Sequence, residues 1–141
     1  MNNKMVIEFD AISENERFAR NVIASFLLPL NPSVSVLSDV KTAVSEAVTN
    51  AIVHGYPDGV GVVTMRAETD GESVHIEVSD KGVGISDLES AMQPFFTTKP
   101  DDERSGMGFT IIKAFMDEVE VKSELNSGTV INMSKKITSA A

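Results

Sequence analysis

The rhythm of apolar and polar residues changes several times along the chain, and each rhythm predicts an element. Met5, Ile7 and Phe9 alternate with Val6 and Glu8, the repeat of a strand with one face towards a core. Ser13-Glu14-Asn15-Glu16 then has the form of a capping box, in which Ser13 caps the backbone and Glu16 reaches back to it. The helix that follows carries Phe18, Val22, Phe26 and Leu30 at helical spacing and stops at Asn31-Pro32. A second helix is predicted over residues 35–54, with Val36, Val40, Val44, Val48 and Ala51 on its buried stripe. Gly55 ends it, and Pro57-Asp58-Gly59 supplies a turn.

Two strands are predicted next, over 61–69 and 73–79, joined at Asp70-Gly71, a strong hairpin signal. In the second, Val74, Ile76 and Val78 face one way and His75, Glu77 and Ser79 the other. A glycine-bearing loop covers 80–84, a short helical stretch 88–92, and a long loop 94–108, a length that is uncommon without a function. A third helix spans 109–116, and a final hairpin pairs 119–123 with 129–136 through Asn126-Ser127-Gly128. Hairpins in place of strand–helix alternation predict an α+β fold. This is a two-layer sandwich, a mixed and mostly antiparallel sheet with helices on one face. Its 141 residues are enough for one domain and one sizeable core.

Composition narrows the picture. No apolar run approaches the ~18 residues of a membrane span, and the N-terminus lacks the apolar segment of a signal peptide. Cysteine is absent, which removes disulfides and thiolate metal sites and suits a reducing compartment, so a cytoplasmic address is expected. The formal net charge of −9 argues against direct nucleic-acid binding, since that needs clustered cations. An anionic ligand would have to be held by backbone amides, a metal and a few placed cations.

Three stretches offer such chemistry. Glu46, Asn50 and His54 are spaced by four on the second helix and share a face. An amide oxygen one turn from a carboxylate can serve a hydrated magnesium ion, with the carboxylate as base. Asp80-Lys81-Gly82-Val83-Gly84 leaves a buried strand. Asp80 could accept a hydrogen bond from an exocyclic amine such as that of adenine, and the glycines allow close backbone approach. Ser105-Gly106-Met107-Gly108 opens a helix whose free N–H groups can hold phosphate, with Lys99 and Arg104 beside it. Each also suits a plainer reading: a solvated helix face, a turn, a glycine-capped surface loop. Their order along one chain favours a nucleotide site. The spacing fits neither a Walker loop nor the dinucleotide fingerprint, and no zinc or hydrolase motif occurs.

Taken together, Glu46-Ala47-Val48-Thr49-Asn50-Ala51, Asp80-Lys81-Gly82-Val83-Gly84 and Gly106-Met107-Gly108 resemble the N, G1 and G2 boxes of the GHKL ATPases, across nearly the whole chain. More narrowly, residues 44–52, His54-Gly55-Tyr56, Phe96-Thr97-Thr98-Lys99-Pro100 and residues 103–110 resemble the bacterial anti-sigma serine kinases. The sporulation branch is the nearest in pattern and the general-stress branch its rival. The resemblance implies ATP and Mg2+ as cofactors, with Asn50 on the metal and Asp80 on the adenine amine. Gly82, Gly84 and Thr129 would shape the adenine pocket. Thr97, Thr98, Lys99, Arg104, Ser105, Gly106, Met107 and Gly108 would lie about the phosphates. It further implies Glu46 as general base towards a serine of an anti-anti-sigma protein, a sigma factor held inactive by a homodimer, and Arg20 at the partner surface. Against the sporulation kinases, the 56–61 turn is shorter, the 136–141 tail differs, and Met92 stands where they tend to carry a charge.

Overall fold

The computed structural model describes residues 2–85 and 108–137. Five strands, β1 (Asn3–Asp10), β2 (Val62–Thr69), β3 (Ser73–Asp80), β4 (Glu118–Glu124) and β5 (Gly128–Lys136), form one sheet in the order β1-β2-β3-β5-β4. Every pairing is antiparallel, so the parallel component allowed by a mixed sheet is not found among them. Two local hairpins, β2–β3 and β4–β5, are joined by the β3–β5 ladder, with β1 added along β2. The β2–β3 turn follows its chemistry. Gly71 takes φ +100°, and the Asp70 carboxylate accepts from the N–H groups of Ser73 (2.9 Å) and Glu72 (2.8 Å), which hold its pKa below the ordinary value.

The helices α1 (Glu14–Leu27), α2 (Val34–Asn50) and α3 (Gly108–Phe115) complete the described elements, with a 3₁₀ turn over Leu28–Leu30. The core lies between these helices and the apolar face of the sheet. Ile23 and Leu27 of α1, Val40, Val44 and Val48 of α2 and Ile112 of α3 meet Met65, Ile76, Ile131 and Met133, all fully enclosed. Ser33 caps α2, its hydroxyl accepting from the Val36 N–H at 3.1 Å.

Three local expectations change. Ser13 itself lies in the helical region and makes no side-chain cap, and its hydroxyl donates to Glu14 instead. Glu16 is engaged elsewhere, accepting from the Ser45 hydroxyl of α2 and pairing with Arg20 at 3.6 Å. Tertiary partners have displaced the capping box. The buried face of α1 is Ala19, Ile23 and Leu27, while Phe18 is 47% exposed and its ring meets Phe9 edge-on. The small Ala19 side chain suits close packing of α1 on α2, and the larger residues beside it flank that contact. Finally, α2 does not run on as α-helix to residue 54: it ends at Asn50, and Ala51–Gly55 form a π turn. Such single wide turns often mark functional sites.

The core closes at one end on a lysine. On β5, Thr129, Ile131, Met133 and Lys135 share the inward face by strand parity. Lys135 Nζ donates to the Phe115 carbonyl at the end of α3 (2.7 Å) and lies 3.7 Å from Asp39 of α2 and 3.8 Å from Asp117. Asp117 in turn accepts the Lys136 N–H at 2.7 Å. A cation at a helix C-terminus is favoured by the helix dipole, so this group ties α3, α2 and β5 together.

Candidate nucleotide-binding site

The other end of the same inward face carries Asp80, the last residue of β3 and 6% exposed. Its register partner on β5 is Thr129, also buried. Asp80 Oδ1 accepts from the Gly82 N–H at 2.9 Å. Burial pushes the Asp80 pKa up, and the backbone amides of Gly82 and Thr129 only partly oppose this. A carboxylate in this position is an acceptor with its charge poorly solvated, chemistry suited to an exocyclic amine.

Two close backbone approaches build the wall around it. Gly55, the last residue of the π turn, lies against the carboxylate: a Cβ there would come within 2.8 Å of the Asp80 carboxyl carbon. Gly82 lies against Gly55, where a Cβ would be 1.8 Å from the Gly55 carbonyl oxygen. That carbonyl accepts the Val83 N–H at 2.9 Å. The π turn therefore delivers the C-terminal end of the Glu46–Asn50 helix directly onto the 80–84 loop.

The next residue, Tyr56, adds a second tie. Its hydroxyl accepts the Lys81 N–H at 2.7 Å and donates to the Val62 carbonyl at 2.7 Å. Its ring covers Gly61, where a Cβ would be 2.3 Å from the ring carbons. On the far side the loop is held by the β4–β5 hairpin. The Asn126 N–H reaches the Val83 carbonyl at 2.7 Å, and Ser123 Oγ accepts the Ile85 N–H at 2.7 Å while lying 2.8 Å from Thr129 Oγ1. Gly84 takes φ +73° and runs close to the Glu124 carbonyl.

Of the residues singled out from sequence, the structure thus brings together Asp80, Gly82, Gly84 and Thr129. Glu46 and Asn50, both half-buried, lie on α2, and His54 lies in the π turn, whose wider winding changes its bearing from the α-helical stack. Gly108 begins α3, which packs on α2. Arg20 lies on α1, partly exposed and paired with Glu16. The short helix at 88–92, the long loop, and Thr97, Thr98, Lys99, Arg104, Ser105, Gly106 and Met107 lie outside the described residues. Sequence reasoning missed the parts played by Gly55, Tyr56 and Ser123. Gly55 enters the sequence reading as a helix stop, and Gly55 and Tyr56 together only within the His54-Gly55-Tyr56 segment of the family resemblance, with no part in the site assigned to either.

A buried acceptor at a strand end, a glycine loop pinned by an interrupted helix, and an antiparallel sheet under helices define a kinase-like ATPase domain. The family model for the histidine kinase-like ATPase domain matches residues 9–135. Among solved structures, the RsbU and RsbW domains of Rv1364c from Mycobacterium tuberculosis align with TM-score 0.71 at 21% identity, over 99% of this chain and 34% of that one. The catalytic domain of the histidine kinase ThkA aligns with TM-score 0.57 at 19% identity, over 96% and 99%. At these identities the likeness is one of fold. Curated relatives lie much nearer. The anti-sigma F factor of Geobacillus kaustophilus is 54% identical over 97% of this chain and 94% of its own length. That of Clostridium acetobutylicum is 53% identical over 96% and 95%, and that of Thermoanaerobacter sp. (strain X514) 50% over 97% and 96%. The chain belongs to the histidine kinase-like ATPase family and, within it, to the anti-sigma F factors.

Proposed function

We propose that this protein is an ATP-dependent serine kinase and anti-sigma factor, which holds a sporulation sigma factor inactive and phosphorylates a serine of the anti-anti-sigma protein that opposes it. The observation that carries the nucleotide half is the Asp80 cradle, a buried carboxylate walled by Gly55, Gly82 and Thr129 at the end of the Glu46–Asn50 helix. The regulatory half rests on the anti-sigma F relatives, half identical over nearly their whole length.

The donor set suits magnesium. Asn50 offers a hard amide oxygen, and Glu46 sits one α-turn before it. Magnesium takes one or two protein oxygens and fills its shell with water and phosphate. When bound, the ion supplies positive charge to the phosphates.

The chain's own residues supply the remaining chemistry. Asp80 accepts from the adenine amine, and Gly82 and Gly84 let the base approach the backbone. Lys99, Arg104 and the 105–108 amides bind the phosphates in this reading, with Thr97 and Thr98 contributing. Glu46 takes the proton of the partner's serine hydroxyl, that oxygen bonds to the γ-phosphorus, and the bond from phosphorus to the β–γ bridging oxygen breaks to release ADP. Arg20 meets the partner. The protein acts in the cytoplasm as a homodimer joined through β1 and α1, a reading supported by the exposed Val6 and Phe18 and by β1 lying at the sheet edge.

Glu46→Gln is the test. Transfer of labelled phosphate to the partner's serine is expected to fall by about 10²–10⁴-fold with nucleotide binding retained. Undiminished transfer removes Glu46 from the base role. Wild-type chain that binds ATP yet phosphorylates no partner leaves only an ATP-gated sigma-binding module.

A further inference from the structure

Two consecutive residues, Gly55 and Tyr56, hold the 80–84 loop by its backbone, one through Val83 and the other through Lys81. The Gly55 contact is backbone to backbone and no side chain can modify it. The Tyr56 contact is different: one hydroxyl uses its donor on the Val62 carbonyl and a lone pair on the Lys81 N–H, so it bridges the start of β2 to the residue directly after Asp80. The ring is fixed over Gly61, so the hydroxyl has little freedom to follow the loop if it shifts. Asp80 is thereby held from both sides, by its own bond to Gly82 and by the Tyr56 hydroxyl at Lys81.

We propose that Tyr56 is a positioning residue that sets the selectivity of the site for adenine. This rests on the reading of Asp80 as the group that accepts from the base. Discrimination by a single hydrogen bond depends on where the acceptor sits, because a carboxylate free to move can turn away from a base that offers no amine. A carboxylate held still must face the carbonyl that hypoxanthine presents in place of that amine, and acceptor against acceptor is repulsive. Tyr56 touches neither the base nor a phosphate in this scheme. It acts through the Lys81 backbone on Asp80.

The experiment compares ATP with inosine triphosphate, for wild type and Tyr56→Phe, by equilibrium binding and by KM and kcat. Phenylalanine keeps the ring over Gly61 and removes both hydrogen bonds. The preference for ATP is expected to shrink by about tenfold, with the change carried by KM rather than kcat. A lowered melting temperature with the preference intact overturns the proposal and leaves Tyr56 a purely structural residue. Wild-type chain that binds the two nucleotides alike overturns the role of Asp80 as well, so the two failures are distinguishable.

A second measurement covers a variant that does not fold. The chain contains one tyrosine and no tryptophan, so biosynthetic 3-fluorotyrosine labels position 56 alone. Its fluorine resonance is expected to move on saturation with ATP and to move less with inosine triphosphate. A resonance indifferent to both nucleotides while they bind overturns the proposal.

Discussion

Asp80 and Lys135 occupy equivalent places at opposite ends of one ladder. Both point inward from the central strands, Asp80 opposite Thr129 at one end of the β3–β5 pair and Lys135 opposite Val74 at the other. Their surroundings are unlike. Lys135 is met by a helix-end carbonyl and two carboxylates, which return in Coulomb attraction and hydrogen bonding what it loses by leaving water. Asp80 is met by the Gly82 and Thr129 amides and by the bare face of Gly55, and desolvation remains its largest perturbation. A matched inward charge fastens the fold, whereas one with no cation against it among the described residues holds free energy that a ligand can release. The lysine end of the sheet is thus a joint, and the aspartate end is the receptor in the proposed function.

The sharpest way to break this contrast is Asp80→Asn. The amide still offers an oxygen to the Gly82 N–H, but its uncharged oxygen is a weaker acceptor for the adenine amine. ATP affinity is expected to fall by about 100-fold, roughly 2–3 kcal/mol, read by calorimetry. The ligand-free protein should at the same time become more stable, because a poorly solvated charge has gone. A variant that bound ATP like wild type would make Asp80 a second structural charge.

Lys135→Ala should act in the opposite sense. It strands Asp39 and Asp117 beside an uncapped helix end and is expected to lower the unfolding free energy by about 2 kcal/mol, less than for a fully buried pair because Asp117 is half exposed. Urea midpoints at unchanged slope are the measurement. An unchanged midpoint would place Lys135 with ordinary surface lysines.

The smallest effect is the dependence of the Asp80 contribution on pH. Its folded pKa is raised above the ordinary carboxyl value of 3.8, so the folded state binds the proton more tightly than the unfolded one. The Asp80 contribution to stability is therefore fully present below the unfolded value and is lost as pH rises through the folded one. The stability advantage of Asp80→Asn over wild type should be greatest near neutrality and narrow as pH falls through that window. A gap of constant width would show that desolvation of the charge is not its source.

What the sequence disclosed and what it withheld divide along physical lines. Strand alternation in Val74, Ile76 and Val78, the Asp70-Gly71 turn and the Asp80 loop were legible because each is fixed by residues close in the chain. The face of α1 was misassigned by one position, because side-chain size suggested Phe18 and Phe26 while close packing of two helices selected Ala19. The capping box lost Glu16 to Ser45, which is 29 residues away and invisible to any local rule. The π turn has no sequence code, since Ala51-Ile52-Val53-His54-Gly55 would also continue an α-helix. It exists because its end must reach Asp80 and Val83. The inward place of Lys135 follows from the alternation of Thr129, Ile131 and Met133 along β5, but its carboxylate and carbonyl partners come from distant parts of the chain.

The pairing of β3 with β5 has a consequence for how the molecule assembles. Each flanking hairpin closes over a short stretch of chain, but the seam between them joins residue 80 to residue 129 and must wait for the segment between to be ordered or looped out. Asp80 and Thr129 meet only when that seam closes. If Asp80 accepts from adenine as proposed, a chain with both hairpins formed and the seam open lacks that acceptor site, and nucleotide would select the fully zipped sheet and hold its two halves together by mass action.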